Sequence, residues 1–483
     1  MPTPPMARAD GSCPLASQDH SSEQVISERR PGLIAARIDR LPVGWSQWRL
    51  VMLVQLFWGV VICLDPLVLR IYPTVWEPQH AFGPAQYELL VGFSNGLGPL
   101  VGDYLFGFFS DRFGRRPTMI AGCLIAGLLY IPVGFTSNWV VLLTTVSFAS
   151  LGIGAALAAA PAYNTEISPP HARGRLLLGG QVVAWTVLGV LASIPAIYLL
   201  PDHLPSFVLL FALFPVVVMV PLILAFIPES PRWLEGKGRY EKADRIVAKM
   251  ERAAERKHGP LPEPDTSGYG VQVTEKVPIG EVFRGAYLGR TLILLFVWIL
   301  IYAGVDYGYQ SYLSVYLVDQ GWSAHDLFLI LTIGGIGGVA MIVVGAVLNE
   351  RIERKTLVFV CGVFMCIGGA MIFADPHSFT VLVIAAAILS AGLFGFLCNM
   401  YNYTATAYPT RLRAVGVGWT DGVGHVGAIA GPFIAGAFYA ATADQRGYGW
   451  ILWFALAGSL LPGLIMLLFG IRQRRAPLEQ VSG

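Results

Sequence analysis

SDRFGRRP, residues 110–117, sets four charges and a glycine into a short break between two long apolar runs. A break of the same kind, NERIERKT, stands at 349–356, again between apolar runs. Asp111 and Glu350 lie 239 residues apart. Pro169 and Pro409 are separated by 240, as are Arg173 and Arg413, and Asp65 and Asp306 by 241. Four landmarks keep one order and nearly one offset, so the chain reads as two related halves.

The rest of the chain fits an all-α membrane protein. Of its 483 residues, 55% are hydrophobic and 13% charged, against about 25% charged in soluble domains. A span needs ~20 apolar residues, and about twelve such runs are present. They lie near 49–76, 87–109, 117–136, 139–163, 175–200, 206–228, 291–318, 325–348, 356–374, 378–405, 414–440 and 449–471. Basic residues concentrate in the first tail, DRFGRR, HARGR, the segment after 228, NERIERK, TRLRA and IRQRR. The six alternate loops hold one, Arg446. Because Lys and Arg mark cytoplasmic loops, both termini are expected in the cytoplasm, which requires an even number of spans. Two six-span halves in parallel topology place a pseudo-two-fold axis along the membrane normal and a site at the midplane.

The expected divisions are a cytosolic tail over 1–47, disordered at its start and without a signal-type apolar core, and a first bundle over 48–228. A cytosolic linker with amphipathic helices follows over 229–290, then a second bundle over 291–471 and a tail over 472–483. The six cysteines form no CxxC pair, so neither a disulfide framework nor a zinc site is expected. No Walker A loop, nucleophile elbow or dinucleotide fingerprint is visible. The expectation is a protein that is not an enzyme, with no cofactor or metal and no nucleic-acid partner.

GFFSDRFGRR (107–116) resembles the signature of the major facilitator superfamily, carried here by Gly107, Asp111, Arg112, Gly114, Arg115 and Arg116. PESPRWLEGKGRYEKA (228–243) is similar to the motif after the sixth helix in sugar porters, organic ion transporters and metabolite:proton symporters. The resemblance implies a breakable cytoplasmic latch. Its members would be those signature residues with Glu166, Arg173, Glu229, Arg232, and in the second half Glu350, Arg351 and Arg413. The chain departs from the pattern at Thr406, where the first half has Glu166, at Glu353, where a turn glycine is usual, and at Phe148, where many proton-coupled relatives carry arginine.

Polar groups inside the apolar runs mark the candidate pathway, since a charge at the bilayer centre costs at least ~2.5–3.5 kcal/mol. In WGVVICLDPLVLRIYP (58–73), Asp65 falls near the midplane beside Pro66, a potential helix break. It reads as a proton carrier or as half of a structural ion pair. Arg70 reads either as a contact for an anionic substrate or as a side chain snorkelling to the interface. On an α-helix Tyr302, Asp306 and Tyr309 share a face, with Gln310 adjacent. That face is expected to line a cavity, and Tyr312 and Tyr316 to anchor at the interface. Asn399 and Asn402 are expected to face protein or cavity. Asp421 and His425, an i, i+4 pair, read as a proton relay or as a plain interhelical hydrogen bond. Gln181 matches a glutamine that sugar porters use for substrate.

Together these readings point to a secondary transporter that moves a small organic metabolite, an organic acid with aromatic acids included, by proton symport and alternating access. A sugar transporter, a uniporter, an exporter of drug-like compounds and a non-transporting sensor are the other readings. The expected partners are the solute, protons and the lipid bilayer, with the chain a monomer in a bacterial inner membrane.

Overall fold

A computed structural model describes residues 32–64, 66–266, 279–348, 351–408, 412–441 and 447–472. Asp65, Glu350, the chain ends and the middle of the linker lie outside the described residues, as does the side chain of Arg413. Among the described residues the helices make twelve spans, in two bundles of six. Hydrocarbon offers the backbone no hydrogen-bond partner, so each apolar run satisfies its own amides by coiling. Among the described residues, ten helices are individually long and apolar enough to cross a membrane.

Several spans are wound unevenly. The first runs as an α-helix over Trp45–Ile62, leaves helical winding at Cys63 and Leu64, and resumes as Leu67–Ile71 and a wider π-helical turn, Tyr72–Trp76. The fifth widens over Val187–Leu191, the seventh over Tyr302–Tyr309 and the eleventh over Gly418–Gly422. Such turns are frequent at functional sites. Within each bundle, glycines bring helices close. A Cβ on Gly98 would meet the Ser150 carbonyl oxygen at 2.0 Å, and one on Gly392 the backbone nitrogen of Met365 at 2.6 Å.

The face that carries SDRFGRRP is called here the basic face. On the opposite, far face the bundles interlock through the first, second, seventh and eleventh spans. Tyr87 donates to the Ser311 carbonyl at 2.6 Å and stacks on Tyr72 at 3.9 Å.

At the basic face the later part of the first tail is folded. A helix, Leu33–Asp39, precedes the first span and docks on two linker helices, Pro231–Gly236 and Tyr240–His258. The reason is an apolar stripe: Ile34 and Ile38 bury against Trp233, Leu234, Ala243 and Val247. Charges frame this core. Arg37 pairs with Glu251 at 2.6 Å and Asp244 at 2.5 Å, and Arg40 with Glu251 at 2.5 Å. Burial alone would raise the Glu251 carboxyl, but hydrogen bonds from Arg37 and Arg40, and then their charges, hold it below its ordinary 4.5. A depressed folded value stabilises above the ordinary value and is lost as pH falls through the folded one. Docking of Leu33–Asp39 is therefore expected to be unchanged between pH 5 and 8 and to weaken as pH falls below the ordinary carboxyl value of 4.5. Limited proteolysis N-terminal to residue 45 reads this directly, and equal cleavage at pH 3.5 and 7 would refute it.

Candidate functional site

The break in the first span and the wide turns of the fifth and seventh spans border a cavity of about 170 Å³ between the two bundles. Pro66, Leu69 and Arg70 reach it from the broken first span, and Gly189 and Ser193 from the fifth. The second half contributes Tyr302, Asp306, Tyr307 and Gln310 from the seventh span and His425 from the eleventh.

Arg70 is the cavity's notable charge. It is 8% exposed, so it does not snorkel to an interface. Its Nη2 donates to Ser193 Oγ at 3.1 Å, while Nε and Nη1 are buried without a partner. No carboxylate among the described residues pairs with it. A buried, unneutralised guanidinium with two idle donors is geometrically an anion receptor. Asp306, on the seventh span, lines the same cavity, and no hydrogen bond or ion pair involves its carboxylate among the described residues.

The remaining wall is aliphatic and aromatic, and its aromatic side chains form two groups. Trp58 and Trp185 from the first half lie 5.8 Å apart, and Trp185 meets Phe394 of the second half at 4.4 Å. Opposite, Tyr302 packs on His425 at 4.1 Å. The Tyr302 hydroxyl donates to Asp421 Oδ1 at 2.5 Å and lies 3.2 Å from the Tyr401 hydroxyl. His425 therefore bonds differently from the expected side-chain pair. Its Nδ1 is 2.9 Å from the Asp421 carbonyl oxygen and 4.0 Å from the carboxylate. A carbonyl only accepts, so Nδ1 carries the proton. The carboxylate instead belongs to a chain through Tyr302 and Tyr401.

Several anticipated wall residues point elsewhere. Tyr309 is 1% exposed and packs on Phe373 of the ninth span at 6.2 Å. The i, i+4, i+7 rule assumes 3.6 residues per turn, and the wider winding of Tyr302–Tyr309 carries Tyr309 off that face. Asn399 and Asn402 bond back to their own helix, donating to the carbonyls of Gly395 at 2.7 Å and Cys398 at 2.9 Å. Gln181 accepts from Trp185 Nε1 at 2.7 Å, so it orients a wall residue without forming the wall. Sequence reasoning missed Trp58, Trp185, Phe394, Ser193 and Tyr401. Trp58, Trp185 and Phe394 are large apolar side chains in apolar runs, where lipid-facing and cavity-facing positions look alike. Phe148, 55% exposed, is not on the wall.

The signature residues form a second constellation at the basic face. Arg115 pairs with Glu166 at 2.7 Å and Asp111 at 2.7 Å. The Glu229 carboxylate accepts from the backbone amides of Arg115 and Ser230 at 2.9 Å each, and of Arg116 at 3.3 Å. Arg232 donates to the Glu166 carbonyl at 2.9 Å and pairs with Asp39, tying the docked helix to the same cluster. Arg173 Nη2 donates to the Ser168 carbonyl at 3.3 Å. Arg112 lies over the Phe113 ring at 5.6 Å. Gly107 has open space where a side chain would be. In the second half, Arg354 donates to Thr406 at 2.9 Å, repeating the Arg115–Glu166 contact with a neutral acceptor. Arg351 is exposed.

A family model for the Major Facilitator Superfamily matches residues 59–432 and again 319–482. The chain belongs to this superfamily. Its all-α fold, an integral membrane architecture of two six-helix bundles, is that of a transporter and not of an enzyme, and its partner is a small-molecule substrate. It is 28% identical to the niacin transporter NiaP of Acinetobacter baylyi over 83% of this chain and 89% of the relative. It is also 28% identical to the 4-hydroxybenzoate transporter PcaK of Pseudomonas aeruginosa, over 89% and 93%. The xylose transporter XylE of E. coli, in a partially occluded inward open conformation, superposes with a TM-score of 0.66 at 18% identity, covering 90% of this chain and 99% of that one. At that identity the match speaks for the fold alone.

Proposed function

We propose that this facilitator carries monocyclic aromatic carboxylates by proton symport with alternating access, across a bacterial inner membrane with the basic face cytoplasmic. The observation that carries the reading is the buried Arg70 guanidinium with two unpaired donors on the cavity wall. The substrate carboxylate would occupy those donors and supply the missing countercharge. The ring would lie among Trp58, Trp185 and Phe394. A cavity of about 170 Å³ suits one ring, since benzene fills an apolar cavity of ~150 Å³. Niacin and 4-hydroxybenzoate, the solutes named for the two relatives, are each one aromatic ring with a carboxyl group. Asp65 and Asp306 are the proposed proton-carrying carboxyls, and the Asp421–Tyr302–Tyr401 chain a proposed relay. The basic-face cluster is proposed to hold one access state and loosen in the other. A sugar is the weaker reading, because a neutral solute would leave Arg70 uncompensated.

The test is internal pH in vesicles holding purified protein and a pH dye, with protein-free vesicles to subtract passive acid permeation. Added 4-hydroxybenzoate or nicotinate should acidify the lumen in a carrier-dependent way, and xylose should not. Asp306→Asn should lower the proton flux at least 10-fold. Labelled acid entering without carrier-dependent acidification would make the protein a uniporter. Xylose flux without acid flux would overturn the substrate class.

A further inference from the structure

At the far face, Glu88 near the start of the second span reaches across the bundle interface. The Tyr312 hydroxyl of the seventh span donates to its Oε1 at 2.8 Å. On its other side stands Gly436 of the eleventh span, where a Cβ would lie 1.6 Å from that same oxygen. The carboxyl of one bundle thus fills a recess made by a tyrosine and a missing side chain of the other. Tyr312 is 2% exposed, and its neighbours Tyr72 and Tyr87 are equally closed off. Among the described residues, the single hydrogen bond from Tyr312 is the carboxyl's one polar partner.

We propose that Glu88 is a proton-binding site built into the far-side gate, taking up a proton as the gate closes. The proposal rests on the alternating-access reading. Opening the far side withdraws Glu88 into water, where an ionised carboxylate is fully solvated. Closing half-buries the carboxyl and offers one neutral donor for the water it loses, which penalises the ionised form. A proton bound more tightly in the closed state must favour closure. Acid on the far side then closes the gate behind an entering solute.

The groups around Glu88 define the controls. Tyr312, Tyr87, Tyr72 and Tyr439 are phenols that ordinarily titrate near 10. Asp319 accepts from Tyr439. His80 stands in the loop between the first and second spans. Glu77 follows the first span at its far end, and burial, then the charge of Asp319, pushes its carboxyl up to about 7. Glu77 is therefore the main rival.

The experiment needs no substrate, so its failure is distinct from a wrong substrate class. Spin labels at Gln79→Cys and Ala441→Cys, both exposed at the far face, would report the gate in nanodiscs after replacement of the native cysteines. From pH 8 to 5.5, the short-distance population of the otherwise unchanged protein should rise at least three-fold. Glu88→Gln, neutral and able to accept from Tyr312, should show the closed population at both pH values. Gly436→Ala, which fills the recess without altering a titratable group, should show the open population at both. Glu77→Gln should retain the pH response. The proposal falls if the unchanged protein shows no shift, if Glu88→Gln keeps the full shift, if Glu77→Gln alone abolishes it, or if Gly436→Ala closes normally.

Discussion

Arg70→Gln is expected to cut kcat/KM for aromatic carboxylates by at least about 30-fold, since truncating one partner of a buried charge pair costs ~2–5 kcal/mol. Arg70→Lys should recover only part of this. A lysine ammonium supplies a point charge but not the planar fork that holds both carboxylate oxygens. The same substitution should leave the empty protein at least as stable as the unchanged one. Arg70 is buried with Nε and Nη1 unpaired and with no carboxylate partner among the described residues, so removing it relieves the cost of a buried charge. Transport and stability would then move in opposite directions, which no general packing defect produces. Uptake of labelled 4-hydroxybenzoate and a thermal melt of the same preparation measure the two effects. Wild-type uptake by Arg70→Gln would remove Arg70 from the substrate site, and a large fall in melting temperature would make it structural.

Gly114→Ala should abolish most of the folded yield. Gly114 has φ +118°, a conformation in which L side chains are strained by ~1–3 kcal/mol. An added Cβ would also lie 2.2 Å from Glu229 Oε2. Glu229 cannot retreat without cost, because its carboxylate holds the amides of Arg115, Arg116 and Ser230. Hydrogen bonds to charged groups contribute roughly 1.5–3 kcal/mol each. Burial alone raises the Glu229 carboxyl, so displacing it from those amides leaves a desolvated charge. Glu229→Gln keeps the shape and an acceptor oxygen, and should cost less than Gly114→Ala. Size-exclusion yield and melting temperature in detergent rank the three proteins. Equal yields for Gly114→Ala and the unchanged protein would show that the turn flexes freely.

The amino-acid sequence by itself determined the membrane class, the two-fold repeat and the basic-face motif. Each depends on interactions that are local or statistical along the chain. Hydrocarbon penalises charge within a span, so the basic loops punctuate the runs in plain view. Asp111 and Arg115 are four residues apart on adjoining helices, and Glu166 and Glu229 cap the ends of neighbouring runs. Arg70, Tyr302, Asp306, Gln310 and His425 were legible as polar exceptions in apolar runs, and all line the cavity. Only the tertiary structure decided which neighbours such residues meet. The π-helical seventh span breaks the phase that linked Tyr309 to Asp306. Trp185 and Phe394 meet across the bundles from spans far apart in the chain. Glu88 acquires its recess because Gly436 lies opposite, 348 residues away. Helical phase is set by local winding, and cross-bundle contact by packing of distant segments, so neither can be counted from residue spacing.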